Sequence, residues 1–315
     1  MIDLLCEDAT VLALRPEWEA LFARAQATPF QSPAWLLPWW GVFGTGEPRV
    51  ATSRDANGRL LGVLPLYCLR AEAKLLPMGA GISDYLDILL DPLAPPDTAA
   101  RLLNAAMSRD ALPCHLIELP PGSPLRSTDA ESGEVCPVLP LKAELRLSIP
   151  ARQHRKLRMS RNRAAEIGGY AIERAMPATA PAMFADLTRL HAARWKSRGE
   201  AGVLDAPAIQ AFHAATIPVL LRAGLLRMES ITLAGRVAAV IYALIDHAHR
   251  ICFYLSGFDQ DFSRESPGTL LLGAMLEQAI GEGRREAHFL RGEEAYKFAW
   301  GALPTNNATR VLNPG

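Results

Sequence analysis

The stretch 251–272 combines the residue types that a ligand-binding or chemical site requires. An apolar, aromatic run ends at Ser256-Gly257, a polar loop follows, and Ser266-Pro267-Gly268 opens a second apolar segment. This order predicts a strand, a loop and a helix, because serine is a favoured N-cap and proline suits the first helical position. The stretch therefore predicts a helix whose N-terminus faces the end of a strand.

Such a helix N-terminus attracts anions. The backbone N–H groups of Gly268, Thr269 and Leu270 would be unpaired there, and Arg264 lies close by in the sequence. Unpaired donors and the positive end of the helix dipole suit a phosphate or a carboxylate. The alternative is an ordinary capped helix that binds nothing.

Length and composition limit the class of protein. The chain has 315 residues, half of them hydrophobic, which indicates two domains. Its 33 basic side chains equal its 33 acidic ones, so no overall field favours nucleic acid. The five scattered cysteines include no Cys-x-x-Cys pair, which predicts a reducing compartment and no metal site. Without a basic signal segment or a run long enough to span a membrane, we expect a cytoplasmic protein.

The two halves of the chain follow a similar plan. Each begins with helices and continues with a hairpin, whose turn is Asn57-Gly58 in the first half and Ala234-Gly235 in the second. A strand, a helix and a further strand come next in both halves, and the first of these strands is predicted over 85–90 in the first half. The segment 120–140, rich in Pro, Ser and Gly, predicts a loop at a domain border. We therefore expect two similar domains, 1–145 and 146–315, although chance similarity of hairpins is the alternative.

A strongly basic helix is predicted at the start of the second half, over 150–167. A solvated surface helix explains its charge more simply than a phosphate-binding one does, because the cations spread around most of the circumference. Its cations are Arg152, Arg155, Lys156, Arg158, Arg161 and Arg163.

The order of elements and several motifs resemble the GNAT acyltransferase fold used twice, in the manner of the CelD-like and Fem-type branch. The resemblance implies an α+β fold of two tandem GNAT-like domains, each a mostly antiparallel mixed sheet flanked by helices. It covers nearly the whole chain. The matching segments are 30–35, 83–87, the basic helix 152–163, 191–195, 256–259, 266–271 and 289–297.

The resemblance implies an N-acyltransferase that moves an acyl group from acyl-CoA, with an acetyl or a longer chain, directly to an amine. In that fold an irregular stretch of the central strand supplies backbone N–H groups to the thioester, and 254–257 occupies the matching position. Tyr296 is then the candidate acid, and Asp259 and Glu293 are the candidate bases. The candidate donor-binding residues are Ser256, Gly257, Arg264, Ser266, Gly268 and Thr269.

We expect the acceptor, an amine of a sugar, an amino acid or an envelope precursor, in a groove between the two domains. The alternative is that Asp84 and Asp87 pair with Arg194 or Arg291 and simply hold the domains together. The candidate acceptor-binding residues are Asp84, Tyr85, Asp87, Arg152, Lys156, Arg194, Trp195 and Arg291.

One departure from the family pattern leaves the donor open. GNAT enzymes that bind coenzyme A usually carry Gln/Arg-x-x-Gly-x-Gly/Ala before the helix, whereas 264–269 has one glycine and a proline. Aminoacyl-tRNA is therefore a further candidate donor. A non-catalytic protein of this fold, linked to exopolysaccharide production, is the second class of function. The sequence leaves the acceptor, the acyl length and the oligomeric state open.

Overall fold

The computed structural model describes residues 1–128, 130–196, 199, 202–247 and 249–314, except for the side chains of residues 194 and 195. The chain forms two compact units, Met1–Val135 with Thr305–Gly315, and Cys136–Pro304. The predicted boundary at 145/146 differs from this division, because residues before it already pair in the second sheet. The end of the chain, predicted to close the second domain, pairs in the first sheet instead.

The first unit contains one mixed sheet and its helices. Its elements before residue 136 are β1 (Ile2–Leu5), α1 (Asp8–Ala13), α2 (Arg15–Arg24), α3 (Pro33–Phe43), β2 (Glu47–Arg54), β3 (Leu60–Leu69), β4 (Lys74–Pro77), β5 (Leu89–Leu90), α4 (Thr98–Met107), β6 (Cys114–Leu119) and β7 (Glu131–Val135). Only the β4–β6 pairing is parallel; the other pairings in this sheet are antiparallel.

Local signals explain several of these elements. The β2–β3 hairpin turns at Asn57-Gly58, where Gly58 has a φ of 82°, a conformation that glycine adopts without strain. Helix α3 begins after Ser32, whose side chain accepts a hydrogen bond from the Trp35 N–H. Trp35 and Trp39 of this helix are almost fully buried, so they belong to the core.

The second unit contains a second mixed sheet in the order β8-β13-β12-β11-β10-β9. Its elements are β8 (Val138–Pro140), α5 (Leu145–Ser148), α6 (Ala151–Glu166), β9 (Tyr170–Arg174), α7 (Ala180–Lys196), α8 (Pro207–Arg222), β10 (Leu226–Leu233), β11 (Arg236–Ile245), β12 (Arg250–Phe258), α9 (Pro267–Gly281), β13 (Glu286–His288) and α10 (Ala295–Ala299). The last strand, β14 (Asn306–Leu312), returns to the first sheet between β6 and β7. The predicted fold class is thereby confirmed.

The two faces of the second sheet carry different side chains. Ile241 and Ala243 of β11 join the hydrophobic core formed with α6 and α9. Tyr242 lies between them in the strand and, because side chains alternate, points to the opposite face, where its ring contacts His213 of α8. On the α9 side, a Cβ on Gly273 would lie 2.7 Å from a methyl carbon of Leu157, so this glycine allows α6 and α9 to pack closely.

Two predictions about regular structure are wrong. The segment 120–140, predicted as a loop, contains β7 and β8. Both are short strands stabilised by partners that are distant in the sequence, β14 for β7 and β13 for β8, so local composition does not reveal them. The strand predicted over 85–90 is reduced to the two residues of β5.

Candidate active site

The central strand β12 is paired on both sides along its first part and on one side along its second part. It pairs in parallel with β13 at Arg250, Ile251 and Cys252 only, and continues to Phe258 beside β11. After β13 the chain turns towards β8, where the Phe289 N–H donates to the Pro137 carbonyl (2.9 Å). In the described part of the sheet, the edge of β12 from residue 253 to residue 258 therefore has no strand partner on the β13 side.

A β-bulge lies at the beginning of this open edge. Tyr242 of β11 pairs with Leu255 while Ala243 pairs with Phe253, so Tyr254 is the extra residue. A bulge interrupts the regular ladder and redirects a side chain. The irregular stretch predicted over 254–257 is therefore present, and its extra residue is Tyr254.

Gly257 lies where a helix approaches β12 closely. It pairs regularly with Val240, and a Cβ at this position would lie 2.8 Å from both the His191 backbone nitrogen and the Leu190 Cβ. The glycine thus allows α7 to pack closely against β12. Ser256, its predicted neighbour in the donor site, pairs with Ile241 and is half-buried.

The start of α9 offers fewer donors than predicted. Ser266 occupies the N-cap position in a left-handed conformation (φ 55°), and its side chain makes no capping hydrogen bond. Its carbonyl accepts the N–H groups of Thr269 (2.9 Å) and Leu270 (3.1 Å). Pro267 has no N–H group. Of the three N–H groups predicted to bind an anion, those of Thr269 and Leu270 are thus used within the helix, and that of Gly268 is left.

Arg264 is directed away from this helix start. Its guanidinium pairs with Glu166 at 2.9 Å, and its carbonyl accepts a hydrogen bond from Arg163 (2.9 Å). Both Arg264 and Glu166 are exposed, so their ion pair is of the weak surface type. The predicted contact of Arg264 with a donor phosphate therefore stays a prediction.

Asp259, a predicted base, is held in a structural network. Its Oδ1 accepts the Asp261 N–H (3.0 Å), and its Oδ2 accepts from Arg236 at 2.5 Å. Arg236 also reaches the Asp261 carboxylate (3.0 Å) and lies 5.1 Å above the Phe262 ring. Both carboxylate oxygens of Asp259 are therefore already engaged, one by the turn and the other by Arg236.

The loop after β13 is organised by Lys297, which the sequence analysis missed. The Lys297 ammonium is buried and donates to the carbonyls of Leu290 (3.1 Å), Arg291 (2.5 Å) and Gly292 (3.1 Å). It also pairs with Glu294 at 2.9 Å. Leu290 and Gly292 both have positive φ, so the lysine stabilises an unusual backbone path. The signal in the sequence was that Lys297 directly follows Tyr296, a predicted site residue.

Tyr296 lies near the open edge of β12. Its ring contacts Phe289 edge-on (6.2 Å between centroids), and Phe289 in turn contacts Phe253, the first residue of that edge (5.6 Å). Tyr296 is 43% exposed. Glu293 is also exposed. This position is compatible with the predicted role of Tyr296 as an acid, which stays a prediction.

A cluster of buried aromatic and hydroxyl side chains adjoins the bulge on the face covered by α7 and α8. The rings of Tyr254, Tyr242 and His213 contact one another, with centroids 5.4–5.7 Å apart. Thr216, fully buried, follows His213 by one helical turn. We refer to these four residues as the tyrosine–histidine cluster. The sequence analysis missed it, although Tyr242 is the one polar side chain in the apolar run 237–245.

The predicted acceptor residues of the second unit lie on two elements and a loop. Arg152 and Lys156 are exposed on α6, away from its buried seam, and Arg291 precedes the left-handed Gly292. Residues 194 and 195 belong to the last turn of α7, but their side chains lie outside the described part of the chain.

The predicted acceptor residues of the first unit are more buried than expected. Tyr85 is 2% exposed and its ring contacts that of Phe30 edge-on, and its role as a ligand contact stays a prediction. Asp84 is buried, and its carbonyl accepts a hydrogen bond from Asn307 (2.7 Å). Asp87 is mostly buried, and burial raises its pKa to about 7. The predicted groove between the domains stays a prediction.

Neither a metal site nor a membrane-spanning helix is found among the described residues. Within the described ranges, no group of three or more His, Cys, Asp or Glu side chains is arranged to hold a metal ion. None of the helices in that part of the chain combines the length and the apolar character needed to cross a bilayer.

These features define a two-unit α+β protein in which a bulged central strand parts from its parallel neighbour. Residues 151–298, within the second unit, match the acetyltransferase (GNAT) domain family. The second unit therefore contains a GNAT acetyltransferase domain.

Solved structures share the fold over both units. FemX is similar with a TM-score of 0.66 at 12% identity, covering 95% of this chain and 96% of its own. A conserved protein of unknown function from Bacteroides thetaiotaomicron reaches 0.66 at 11% identity over 100% of both chains. L-PGS from Bacillus licheniformis reaches 0.61 at 10% identity, over 95% of this chain and 92% of its own. No curated protein sequence matches the chain.

Proposed function

We propose that the chain is an N-acyltransferase that moves an acyl group from acyl-CoA to an amine by direct attack. The observation that supports this is the loss of a neighbour of β12 after Cys252, next to the bulge at Tyr254. An unpaired strand edge offers N–H and C=O groups in alternation. The pantetheine arm of coenzyme A is an extended chain with amide groups, so it can pair with such an edge as a peptide strand does.

The bulge suits the chemical step. The amine nitrogen attacks the thioester carbonyl, the C–N bond forms, and the C–S bond breaks. Negative charge develops on the carbonyl oxygen, and a backbone N–H released from the ladder at Tyr254 can stabilise it. Tyr296 is the proposed donor of a proton to the leaving thiolate. Glu293 is the proposed base, because Arg236 and a turn already engage Asp259.

The proposal for the donor site depends more on the open edge of β12 than on the N-terminus of α9. The first turn of α9 uses the N–H groups of Thr269 and Leu270 internally, which leaves few donors for a pyrophosphate. This observation favours a second candidate donor, an aminoacyl-tRNA. Asp84, Asp87, Arg152, Lys156 and Arg291 remain the proposed contacts of the acceptor.

Binding of the donor is the first test. Thermal unfolding is followed with CoA and with acetyl- to palmitoyl-CoA, and release of CoA thiol is then measured with amine acceptors. A bound thioester at about 100 times its dissociation constant should stabilise the protein by about 2.7 kcal/mol. If no chain length shifts the transition of the folded protein, the acyl-CoA donor is wrong.

Replacement of Tyr296 tests the acid. We expect Tyr296→Phe to lower kcat by about 10²-fold, the lower end of the range for a general acid, while donor affinity is unchanged. Tyr170→Phe is the matched control, because Tyr170 is similarly exposed (39% against 43%) but lies on β9, at the opposite edge of the sheet. Equal rates for both variants would exclude the proposed role of Tyr296.

A further inference from the structure

The exposed face of α6 carries positive charge that no acid in the described part of the chain neutralises. The helix contains six arginine and lysine side chains and no acidic residue before Glu166. Two of the six are engaged on the side of α9, Arg161 by Glu277 (2.6 Å) and Arg163 by the carbonyl of Arg264 (2.9 Å). The other four are exposed and form no ion pair with a described acid; they are Arg152, Arg155, Lys156 and Arg158.

These four cations repel one another. Residues three or four positions apart are neighbours on a helix surface, so Arg155 lies next to both Arg152 and Arg158, and Arg152 also lies next to Lys156. Like charges at this spacing destabilise a helix. An acidic partner on this face would remove the repulsion and gain from complementary charge. The face therefore suits a negatively charged partner.

The centre of this face contains an apolar side chain as well as cations. Four exposed residues follow one another at the i, i+3, i+4, i+7 spacing, opposite the buried side of the helix. Met159 in their middle is 50% exposed. Methionine and arginine are enriched in protein–protein interfaces, whereas the phosphates of a nucleic acid offer no apolar contact. The four residues, which we call the outer stripe, are Arg155, Arg158, Met159 and Asn162.

Helix α6 lies beside two segments of the proposed donor site, all within the second unit. Its N-cap residue, Pro150, packs against Gly301, which closely follows the helix that carries Tyr296; a Cβ on Gly301 would be 2.9 Å from the Pro150 Cδ. Near its other end, Arg163 donates to Arg264 in the loop before α9. A partner bound to the outer stripe is thus close to both segments.

We propose that the outer stripe docks an acidic carrier protein, which holds the acyl group as a thioester on a phosphopantetheine arm. The inference rests on the proposed acyl transfer from a thioester and names a protein as its preferred carrier. The arm has the same amide groups that pair with a strand edge in coenzyme A. It ends in a single phosphate instead of a pyrophosphate, and the first turn of α9 has one N–H group left, that of Gly268.

The chemical step is unchanged by this carrier. The amine nitrogen forms the C–N bond with the thioester carbonyl carbon, and the C–S bond breaks. The sulfur takes up a proton, so the free thiol stays on the arm of the carrier protein, which then leaves the outer stripe.

Calorimetric titration of the full chain with two donors that share one acyl group tests the inference. The probes are hexanoyl-CoA and an acyl carrier protein that bears hexanoyl on its phosphopantetheine. We expect the carrier protein to bind about tenfold more tightly or better, because it alone contacts the outer stripe. Arg155→Glu/Arg158→Glu should remove this advantage and leave the affinity for hexanoyl-CoA unchanged. Met159→Gln should weaken the carrier protein about fivefold, since an apolar contact is lost.

The control variant has the same change of net charge elsewhere. Arg222→Glu/Arg285→Glu replaces two exposed arginines outside α6 and should leave both affinities unchanged. The charge reversal at Arg155 and Arg158 removes like-charge neighbours, so we expect a melting temperature at or above that of the natural protein. A loss of carrier binding is then not a loss of folding.

Three results would overturn the inference. Hexanoyl-CoA that binds as tightly as the carrier protein, or that loses affinity equally on charge reversal, would exclude the carrier protein while the acyl-CoA donor stands. A tRNA that binds the natural protein and is released by the same charge reversal would assign the outer stripe to RNA. Failure of both thioesters to bind would instead contradict the proposed thioester donor, and the inference with it.

Discussion

Asp87 holds its carboxyl group in a mostly buried position in the first unit. Its Oδ1 accepts hydrogen bonds from Ser123 Oγ (2.7 Å) and from the Ile88 N–H (2.8 Å). Burial is the largest influence on its pKa and raises it to about 7, although the two hydrogen bonds act in the opposite direction. The folded protein therefore holds a proton on Asp87 at pH values where the unfolded chain has lost it.

This shift predicts a pH-dependent stability. With a pKa of about 3.9 in the unfolded chain, the contribution of Asp87 is fully present below that value and is lost as the pH rises through 7. Asp87→Asn keeps a neutral side chain that can accept the same bonds. We expect the variant to gain on the order of 2–4 kcal/mol relative to the natural protein between pH 4 and pH 8, measured by urea unfolding.

Asp110→Asn is a control for which the expected change of stability with pH has the opposite sign. The hydrogen bond from Arg49 holds the pKa of Asp110 below its ordinary value, so Asp110→Asn should lose stability relative to the natural protein as the pH rises. Difference curves for Asp87→Asn that stay flat with pH would show that its carboxyl group is not perturbed in the folded state.

At the scale of elements, α7 packs closely against β12 because Gly257 has no side chain. Gly257 places the backbone of β12 against α7 so closely that a Cβ would lie 2.8 Å from the His191 backbone nitrogen. Real Cβ atoms do not approach so closely, so the helix or the strand must move. The same strand carries the bulge, and its geometry therefore depends on this contact.

Gly257→Ala tests this contact. We expect it to destabilise the second unit by about 1–3 kcal/mol, as overpacking in a dense interior does. Gly268→Ala is the matched control, because the nearest atom to its Cβ would be 3.7 Å away and its φ is not positive. Chemical denaturation of both variants measures the difference. Equal stabilities would mean that α7 adjusts freely and that Gly257 serves another purpose.

At the scale of the whole molecule, the last strand belongs to the unit that contains the beginning of the chain. Strand β14 pairs with β6 on one side and with β7 on the other. Asn307 on this strand is fully buried and donates to the Asp84 carbonyl and to Glu118 Oε2, both at 2.7 Å. Without β14, β6 and β7 would have no strand between them.

A chain that ends at Pro304 tests this arrangement. We expect β6 and β7 to lose amide-exchange protection by several orders of magnitude, because their shared hydrogen-bond partner is absent. Protection of β11 and β12 in the second unit should be retained, since their partners lie within 136–304. Hydrogen exchange read by mass spectrometry follows both sets. An equal loss in β11 and β12 would show that the second unit depends on the first.

The sequence by itself determined the elements that local interactions specify. The strands β10 to β12 and the helix α9 follow from runs of apolar residues, and the hairpins follow from Asn57-Gly58 and Ala234-Gly235. Gly58, Ala234 and Gly235 have positive φ, as such turns require. The resemblance to GNAT acyltransferases depended on motifs spread over nearly the whole chain, and the acetyltransferase (GNAT) domain family matches residues 151–298.

The tertiary structure alone decided which of those residues meet. The bulge lies at Tyr254 because the register of β11 against β12 shifts there, and a register depends on the whole sheet. Tyr242 and His213 are distant in the sequence, and their rings meet only when α8 packs against the sheet. Asp259 and Ser266 looked available, but Arg236 and the first turn of α9 engage them. Contacts between distant segments have no periodic signature in a sequence, which is why the site required the fold.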